Sequence, residues 1–285
     1  MAQLFRSLIF VPGNNPRFLE KAKVMDADIV CFDLEDSVPD KEKKQARNLI
    51  KTALRSRSEY LSSIFVRTNS PISGKIPDDL KEIVQKGIDG IVIPKVNNIE
   101  ELKKIEKNLK SLEKVRKLKP IQIIPSIESA EGVVNTYKIA VYSKRISAVV
   151  FGVFDLLNDM GIEYTKDPEG AKYSRAKIPV DARAAGIASI DAIWQDLKDL
   201  KGLEKDCKAG KILGYSGKSL IHPDQIPVTH KNFHPSKSEI QWAEKVSKSY
   251  SKLVKTGKGA TTVDGKMIDE VHFKQAEAIL KIVKN

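Results

Sequence analysis

The chain contains 285 residues, of which 41% are hydrophobic and 30% charged, so its composition excludes disordered and fibrous proteins and fits one large α/β barrel or two ordinary domains. Its apolar runs stop far short of the roughly 20 residues that cross a bilayer, and no secretory pattern is present, so we expect a cytoplasmic protein without a membrane partner. The net charge of +12 suits an anionic partner, but the lysines are scattered along predicted helices, and we expect solubility rather than nucleic-acid binding. We expect both cysteines, Cys31 and Cys207, to be reduced, because a single possible bridge is no disulfide framework.

Short β-type apolar runs recur along most of the chain and alternate with stretches of helical spacing. The predicted strands are Ser7–Val11, Asp28–Asp33, Ile64–Arg67, Gly90–Pro94, Ile121–Ile127, Ala148–Gly152, Ile187–Asp191 and Ile212–Tyr215. Strands that alternate with helices pair in parallel, and nearly continuous apolar strands are covered on both faces, as in a barrel or a doubly wound sheet. Eight such units favour a (β/α)8 TIM barrel over residues 1–228.

The remaining residues, 229–285, are predicted to form a C-terminal helical extension. Ser236 and Glu239 have the spacing of a capping box, which opens a helix that ends near Gly257. A last helix presents Phe273 and Leu280 on its apolar side. The sequence leaves open whether this extension covers its own barrel or contacts a neighbouring subunit.

Polar residues follow nearly every predicted strand, at the end where barrel enzymes carry their reacting groups. Glu128 and Asp155 follow strands five and six, so their carboxylates are suited to bind a hard cation such as Mg²⁺. Arg67, after strand three, can bind a carboxylate or stabilise an oxyanion, or else form a salt bridge with the acids that follow strand two. Those acids are Asp33, Glu35 and Asp36.

Three further positions near predicted strand ends allow both a functional and a structural interpretation. His222 is a candidate ligand or base, although a histidine at a strand end is more often structural. Lys95 and Lys218 are candidate anion contacts or ordinary ion-pair partners. A serine nucleophile elbow, a dinucleotide fingerprint and a P-loop are absent from the sequence, which makes the corresponding enzyme classes poor interpretations.

An ordered set of motifs carries a resemblance over nearly the whole chain. The motifs are RSLIFVPG at Arg6–Gly13, DLEDSV at Asp33–Val38, VRTN at Val66–Asn69, Pro94–Lys95, Ile127–Glu128, Asp155–Leu156 with Gly161, Gly217–Lys218 with Ile221–Pro223 and Gln225, and GKMID at Gly265–Asp269. Together they resemble the citrate lyase β-subunit-like family, which includes malyl-, methylmalyl- and citramalyl-CoA lyases.

The resemblance implies a barrel enzyme that forms a homo-oligomer, a trimer or hexamer, and cleaves or forms carbon–carbon bonds in acyl-CoA thioesters with Mg²⁺, or alternatively Mn²⁺. In this resemblance Glu128 and Asp155 are metal ligands, Arg67 is catalytic, and Asp269 is an acid–base residue from a neighbouring subunit. Substrate contacts are implied for Arg67, Glu128, Arg6, Gly152 and Val153, with supporting roles for Asp33, Glu35, Asp36, Lys95 and His222. The sequence departs from the pattern at Phe154, where relatives often carry Glu, and at Ser129, where they often carry Thr.

Three activities remain open at this level. The first is a lyase that splits a 3-hydroxy-carboxyacyl-CoA into an acyl-CoA and a 2-oxoacid. The second is a citrate lyase β-type subunit that acts only on acyl groups tethered to a carrier protein, and the third is a CoA-independent hydroxy-oxoacid aldolase. The sequence does not select among glyoxylate, pyruvate and oxaloacetate as the 2-oxoacid. That choice depends on a pocket the size of a methyl or carboxymethyl group.

Overall fold

A computed structural model describes residues 5–165, 168–254 and 259–283, without the side chains of residues 253 and 254. Residue contacts divide the described chain into two compact units, one up to His230 and one from Lys231 onward. The predicted boundary at residues 228 and 229 stays a prediction. Among the described residues, none of the helices combines the length and apolarity that a membrane crossing requires.

The first unit is a closed barrel of eight parallel strands with helices between them, which confirms the predicted fold class. The strands are β1 (Ser7–Pro12), β2 (Ile29–Asp33), β3 (Ser63–Arg67), β4 (Gly90–Ile93), β5 (Gln122–Ile127), β6 (Ala148–Phe151), β7 (Ala188–Asp191) and β8 (Gly217–Leu220). The intervening helices are α1 (Pro16–Lys21), α2 (Lys43–Arg55), α3 (Ile76–Ile83), α4 (Ile99–Arg116), α5 (Ala130–Val141), α6 (Val153–Asp159), α7 (Lys172–Ala184), α8 (Leu200–Leu213) and α9 (Gln225–Phe233). Pairing of Ser7 in β1 with Lys218 in β8 closes the barrel.

Alternate residues of the strands fill the barrel interior. Leu8, Cys31, Phe65, Ile124 and Ile190 belong to one fully buried apolar cluster, contributed by five different strands. Cys31 and Cys207 are both buried, free thiols. The packed interior leaves the open ends of the strands as the place for a binding site.

The predicted eighth strand, Ile212–Tyr215, is wrong. Ile212 and Leu213 form the last turn of α8, which ends at Gly214 with φ of +102°, a conformation that glycine adopts without steric cost. The true strand, β8, follows at Gly217–Leu220. It contains Lys218 and Ser219, so it lacks the continuous apolar run by which the other strands were recognised.

The second unit contains α10 (Lys237–Val254), a hairpin of β9 (Thr261–Val263) and β10 (Lys266–Ile268), and α11 (Glu270–Val283). The predicted capping box is present, because Ser236 Oγ accepts from Glu239 N at 3.2 Å and Glu239 Oε2 accepts from Ser236 N at 2.7 Å. The predicted helix end near Gly257 lies outside the described residues. The hairpin is absent from the sequence prediction, although Asp264 and Gly265 both have positive φ and form the Asp-Gly turn typical of hairpins.

Candidate active site

Arg67 and Asp33 form the central ion pair at the carboxyl ends of β2 and β3. Arg67 Nε and Nη2 each donate to one Asp33 oxygen at 2.7 Å, a bidentate geometry. Burial pushes the pKa of Asp33 upward, but the charge and hydrogen bonds of Arg67 outweigh burial and hold that pKa below its usual value. The guanidinium also lies 4.6 Å from the ring centroid of Phe10, so its position is fixed from two sides.

Lys95 joins three acids beside this pair. Its Nζ lies 3.1 Å from Glu35 Oε1, 3.5 Å from Asp36 Oδ1 and 3.2 Å from Asp155 Oδ1. Burial lowers the pKa of Lys95, but these carboxylates outweigh burial and raise it above the usual value. Lys95 has φ of +54°, a left-handed conformation that costs a non-glycine residue on the order of 1 kcal/mol.

Glu35 is buried between Arg67 and Lys95, with its Oε2 3.1 Å from Arg67 Nη1. Burial raises the pKa of Glu35 to about 8; the charge of Arg67 opposes the rise and that of Glu128 adds to it. Glu35 is therefore largely protonated at neutral pH.

Glu128 follows directly after β5 and is only 6% exposed. None of the described residues hydrogen-bonds its Oε2 atom, although that atom is fully buried. Burial raises the pKa of Glu128, a hydrogen bond from Ser126 and the charge of Arg67 lower it, and the nearby Asp155 charge raises it further. A buried carboxylate oxygen without a partner is expected where a ligand binds.

Gly152 makes room for the Glu128 side chain. A Cβ atom at Gly152 would lie 2.4 Å from Glu128 Cγ, closer than real carbon atoms approach. Asp155 lies in the first turn of α6, three residues after Gly152, and its side chain is 39% exposed. The Gly-Val-Phe-Asp segment thus places Asp155 beside the Glu128 carboxylate, close enough to influence its pKa.

Two cavities meet at these two acids, and both are lined by Glu128 and Asp155. The smaller, of about 490 Å³, is also lined by Asp33, Asp36, Arg67, Gly152 and Val153, together with the residues Phe10, Pro12, Ser37, Ser126, Val150, Phe151, Phe154, Ile193, Ser219 and Ile221. The larger, of about 780 Å³, continues past Lys95 toward Lys104 and Asn108 on α4. We call Asp33, Glu35, Asp36, Arg67, Lys95, Glu128 and Asp155 the mouth network.

The mouth network has an excess of negative charge. Five carboxylates face two cations, so acids outnumber bases in the network even with Glu35 protonated. The described residues hold no cluster of three or more His, Cys, Asp or Glu side chains suited to a metal. The donor set of Glu128 and Asp155, with one unpartnered buried oxygen, nevertheless fits a hard divalent cation that takes its other ligands from water and substrate.

A second ion network lies behind the barrel wall. Lys218 of β8 is fully buried and contacts Asp191 Oδ2 at 3.0 Å, and it also pairs with Asp206 of α8. Arg175 of α7 pairs with the same two aspartates. Lys218 is therefore an ion-pair partner within the described structure, in a network whose two cations balance its two anions.

The structure corrects the prediction that Arg6 lines the mouth. Arg6 precedes β1, so it lies at the amino end of the barrel, opposite the mouth. Its guanidinium pairs with Asp28, which precedes β2, with an Nη2–Oδ1 distance of 2.6 Å.

Two other predicted residues have local partners of their own. His222 follows β8, is 44% exposed and lies 3.5 Å from Asp224, and it does not line either cavity. Asp269 belongs to the second unit, where it caps α11: its Oδ1 accepts from Val271 N at 3.0 Å and lies 2.7 Å from His272 Nδ1. These contacts, the His272 hydrogen bond first, hold the pKa of Asp269 below its usual value.

Several lining residues of the smaller cavity escaped the sequence analysis. They are Phe10, Ser126, Ile193, Ser219 and Ile221. Ser219 Oγ is buried and has no hydrogen-bond partner among the described residues, which suits a contact to a ligand. Ser219 belongs to the strand that the sequence misplaced, and a correct placement of β8 is the signal that points to it.

Fold and site together define a barrel enzyme with an acidic mouth suited to a cation and an oxygen-rich substrate. A family model described as HpcH/HpaI aldolase/citrate lyase matches residues 6–223. The chain therefore belongs to this family, and it is an enzyme of the lyase class.

Curated relatives extend the match to nearly the whole chain. A (3S)-malyl-CoA thioesterase of Cereibacter sphaeroides is 33% identical over 279 residues, which cover 98% of this chain and 94% of the relative. The citrate lyase subunit beta of Leuconostoc mesenteroides is 34% identical over 283 residues, 98% of this chain and 93% of the relative. Among solved structures, CitE of Mycobacterium tuberculosis in complex with magnesium, acetoacetate and coenzyme A superposes with a TM-score of 0.81 at 24% identity, covering 100% of both chains.

Proposed function

We propose that the protein is a Mg²⁺-dependent carbon–carbon lyase that cleaves or forms a 3-hydroxy-carboxyacyl-CoA thioester, with an acyl-CoA and a 2-oxoacid as the other side of the reaction. The observation that carries the proposal is the unpartnered, buried Glu128 oxygen within a mouth network of excess negative charge. The same proposal covers the citryl-, malyl- and citramalyl-CoA types.

Glu128 and Asp155 are the residues that would hold the cation, with Mn²⁺ as a possible replacement for Mg²⁺. A cation there would supply Lewis-acid polarisation of the oxoacid oxygens. Gly152 keeps Glu128 in place, because any larger residue would displace its side chain.

Arg67 acts on the substrate oxygens. Asp33 accepts hydrogen bonds from Nε and Nη2, and Nη1 lies in an ion pair 3.1 Å from Glu35, so donors remain for a carboxylate or a developing oxyanion. The bidentate pair with Asp33 fixes the guanidinium before substrate arrives, which lowers the cost of orienting it during the reaction.

Proton transfer completes the chemistry. In cleavage, a base removes the hydroxyl proton, the carbon–carbon bond breaks, and its electron pair becomes the enolate of the thioester; the same proton then returns to the enolate carbon. We assign this role to Asp269 of a neighbouring subunit. Its lowered pKa keeps it ionised at neutral pH, and the role requires that the closed site raise this pKa toward the operating pH, where a general base works best.

The larger cavity is the proposed path for the CoA arm. It opens onto the same two acids as the smaller cavity, and Lys104 on its wall supplies positive charge for phosphate groups. The thioester would then meet the oxoacid where the cavities join.

The proposal also includes a cytoplasmic location and a homo-oligomer, a trimer or hexamer. Val134, Tyr137 and Val141 are exposed at helical spacing on one face of α5, an apolar stripe that favours contact with another subunit. Light scattering of the purified protein gives the number of subunits, and a monomer would contradict this part of the proposal.

The decisive experiment measures turnover of malyl-, citramalyl- and citryl-CoA with Mg²⁺ and with EDTA. Oxoacid release without free thiol indicates a lyase, whereas free CoA thiol without oxoacid indicates a thioesterase, the activity named for one relative. We expect Glu128→Gln to abolish turnover, and Glu100→Gln, an exposed change on α4, to leave it unaltered. Turnover that survives EDTA or Glu128→Gln would contradict the metal assignment.

A second candidate is a carrier-dependent β-type subunit, which the similarity to a citrate lyase subunit beta favours. It would leave all free CoA esters unreacted and would turn over the same acyl groups only when they are attached to a carrier protein. Cleavage of free hydroxy-oxoacids in the absence of CoA would instead favour the aldolase alternative.

A further inference from the structure

The two sides of the smaller cavity differ in chemistry. Charged residues lie at the ends of β2, β3 and β5, where Asp33, Arg67 and Glu128 line the wall. The ends of β6, β7 and β8 contribute mainly apolar side chains, Val153 and Phe154, Ile193, and Ile221, and the polar exceptions on this side are Asp155 after β6 and Ser219 in β8. Phe10 from β1 adjoins this apolar wall.

Phe154 is held in the apolar wall by a ring contact. Its ring centroid lies 4.4 Å from that of Tyr164, with the planes tilted by 32°. Phe154 also directly precedes Asp155 in the sequence. An apolar residue therefore stands next to the proposed metal ligand.

Positive charge within the smaller cavity comes from a single lining side chain. Among the described residues that line it, Arg67 is the single cation, and it is bound by Asp33 and Glu35. The neighbouring Lys95 lines the larger cavity and is bound by Glu35, Asp36 and Asp155. A cation at the two acids and the remaining donors of Arg67 suffice for one carboxylate and one keto oxygen, but leave no counter-charge for a second carboxylate.

We propose that this cavity selects a 2-oxoacid whose side chain is short and uncharged, of the pyruvate and 2-oxobutyrate type, over a dicarboxylic oxoacid such as oxaloacetate. The apolar wall of Val153, Phe154, Ile193 and Ile221 contacts the side chain of the oxoacid. Arg67 and the cation held by Glu128 and Asp155 bind its carboxylate and keto oxygens. This inference rests on the proposed function, because it specifies the oxoacid half of that reaction. The volume of about 490 Å³ accommodates either kind of oxoacid, so size does not select between them. Charge selects, because the second carboxylate of a dicarboxylic oxoacid would lie close to the acids of the cavity, and juxtaposed like charges are strongly unfavourable.

The test is equilibrium binding of oxoacids to the full chain at saturating Mg²⁺, measured by calorimetry. Pyruvate, 2-oxobutyrate and 2-oxopentanoate are compared with freshly dissolved oxaloacetate, and 2-oxopentanoate serves as the uncharged ligand nearest in size to oxaloacetate. We expect 2-oxopentanoate or a shorter monoanion to bind at least ~10-fold more tightly than oxaloacetate. Equal or tighter binding of oxaloacetate would overturn this inference and leave the lyase proposal standing.

A variant pair sharpens the result. Ile193→Arg introduces a cation into the apolar wall and is expected to improve oxaloacetate binding relative to 2-oxobutyrate by at least ~10-fold, whereas Ile193→Met, similar in size but uncharged, leaves the ratio unaltered. An unaltered ratio in a folded Ile193→Arg protein would contradict the inference, and if that variant does not fold the wild-type comparison still decides. If none of the oxoacids binds with Mg²⁺, the proposed function itself fails together with the inference.

Discussion

The mouth network and the Lys218 network are both clusters of charges at least partly buried, yet they differ in balance. In the Lys218 network, Asp191 and Asp206 are matched by Lys218 and Arg175. In the mouth network, Arg67 and Lys95 face five acids, and a Glu128 oxygen has no hydrogen-bond partner among the described residues. Removing one member of a balanced buried network destabilises the fold, whereas a network with unpaired acids in a cavity is typical of a ligand site.

The largest effect on stability is expected from breaking the balanced network. Lys218→Met leaves the buried Asp191 and the half-buried Asp206 with Arg175 alone and should lower the free energy of unfolding by about 3–5 kcal/mol. The exposed change Lys208→Met on the same side of the barrel should cost less than about 0.5 kcal/mol. Urea unfolding measures both, and a cost below 1 kcal/mol for Lys218→Met would mean that the network does not support the fold.

Displacing Glu128 should mainly affect function. Gly152→Ala places a methyl group 2.4 Å from Glu128 Cγ, and a shift of the carboxylate by about 1 Å should lower turnover by about 10²-fold. Gly259→Ala, where the added methyl meets open space, is the control. Steady-state kinetics and a Mg²⁺ titration test this, and full activity in Gly152→Ala would show that the Glu128 position is not critical.

Glu35 should give stability a distinctive pH dependence. Its pKa is about 8 in the folded protein against an ordinary value of 4.5, so the folded state keeps a proton that the unfolded chain loses, and stability falls as pH rises between these values. Glu35→Gln removes this loss and should be more stable than the wild type by at least ~1 kcal/mol at pH 8.5. Urea unfolding at several pH values in EDTA, with Glu100→Gln as control, measures the slope; parallel wild-type and Glu35→Gln profiles would contradict the assignment.

The smallest effect concerns the unpartnered acid itself. Burial raises the pKa of Glu128, so its charged form destabilises the metal-free fold, and that contribution grows as pH rises above the usual carboxyl range. Glu128→Gln should therefore stabilise the metal-free protein at pH 8 by about 0.5–1 kcal/mol, although it removes the proposed metal site. Thermal unfolding in EDTA tests this, and destabilisation by Glu128→Gln would place Glu128 with the balanced, structural charges.

The sequence predicts the barrel and predicts that the polar residues at its strand ends lie at one end of it. Both predictions follow from local patterns, which locate the strand ends and indicate parallel pairing. Arg67, Glu128 and Asp155 were found in this way. Arg6 was misplaced because the resemblance ignored that a residue preceding a strand lies at the opposite end of the barrel. The apolar wall was not predicted, since Ile193 and Ile221 are single residues after short strands and gain significance only when three strand ends meet around one cavity.

The two thiols offer built-in reporters of how the barrel opens. Cys31 lies in the central apolar cluster and Cys207 lies in the helical layer beside Thr229, and both are fully shielded from solvent. A thiol reagent therefore reaches each cysteine only after its own layer has separated. Labelling rates of single-cysteine variants would reveal whether helices detach before the strands part, without any added dye or isotope.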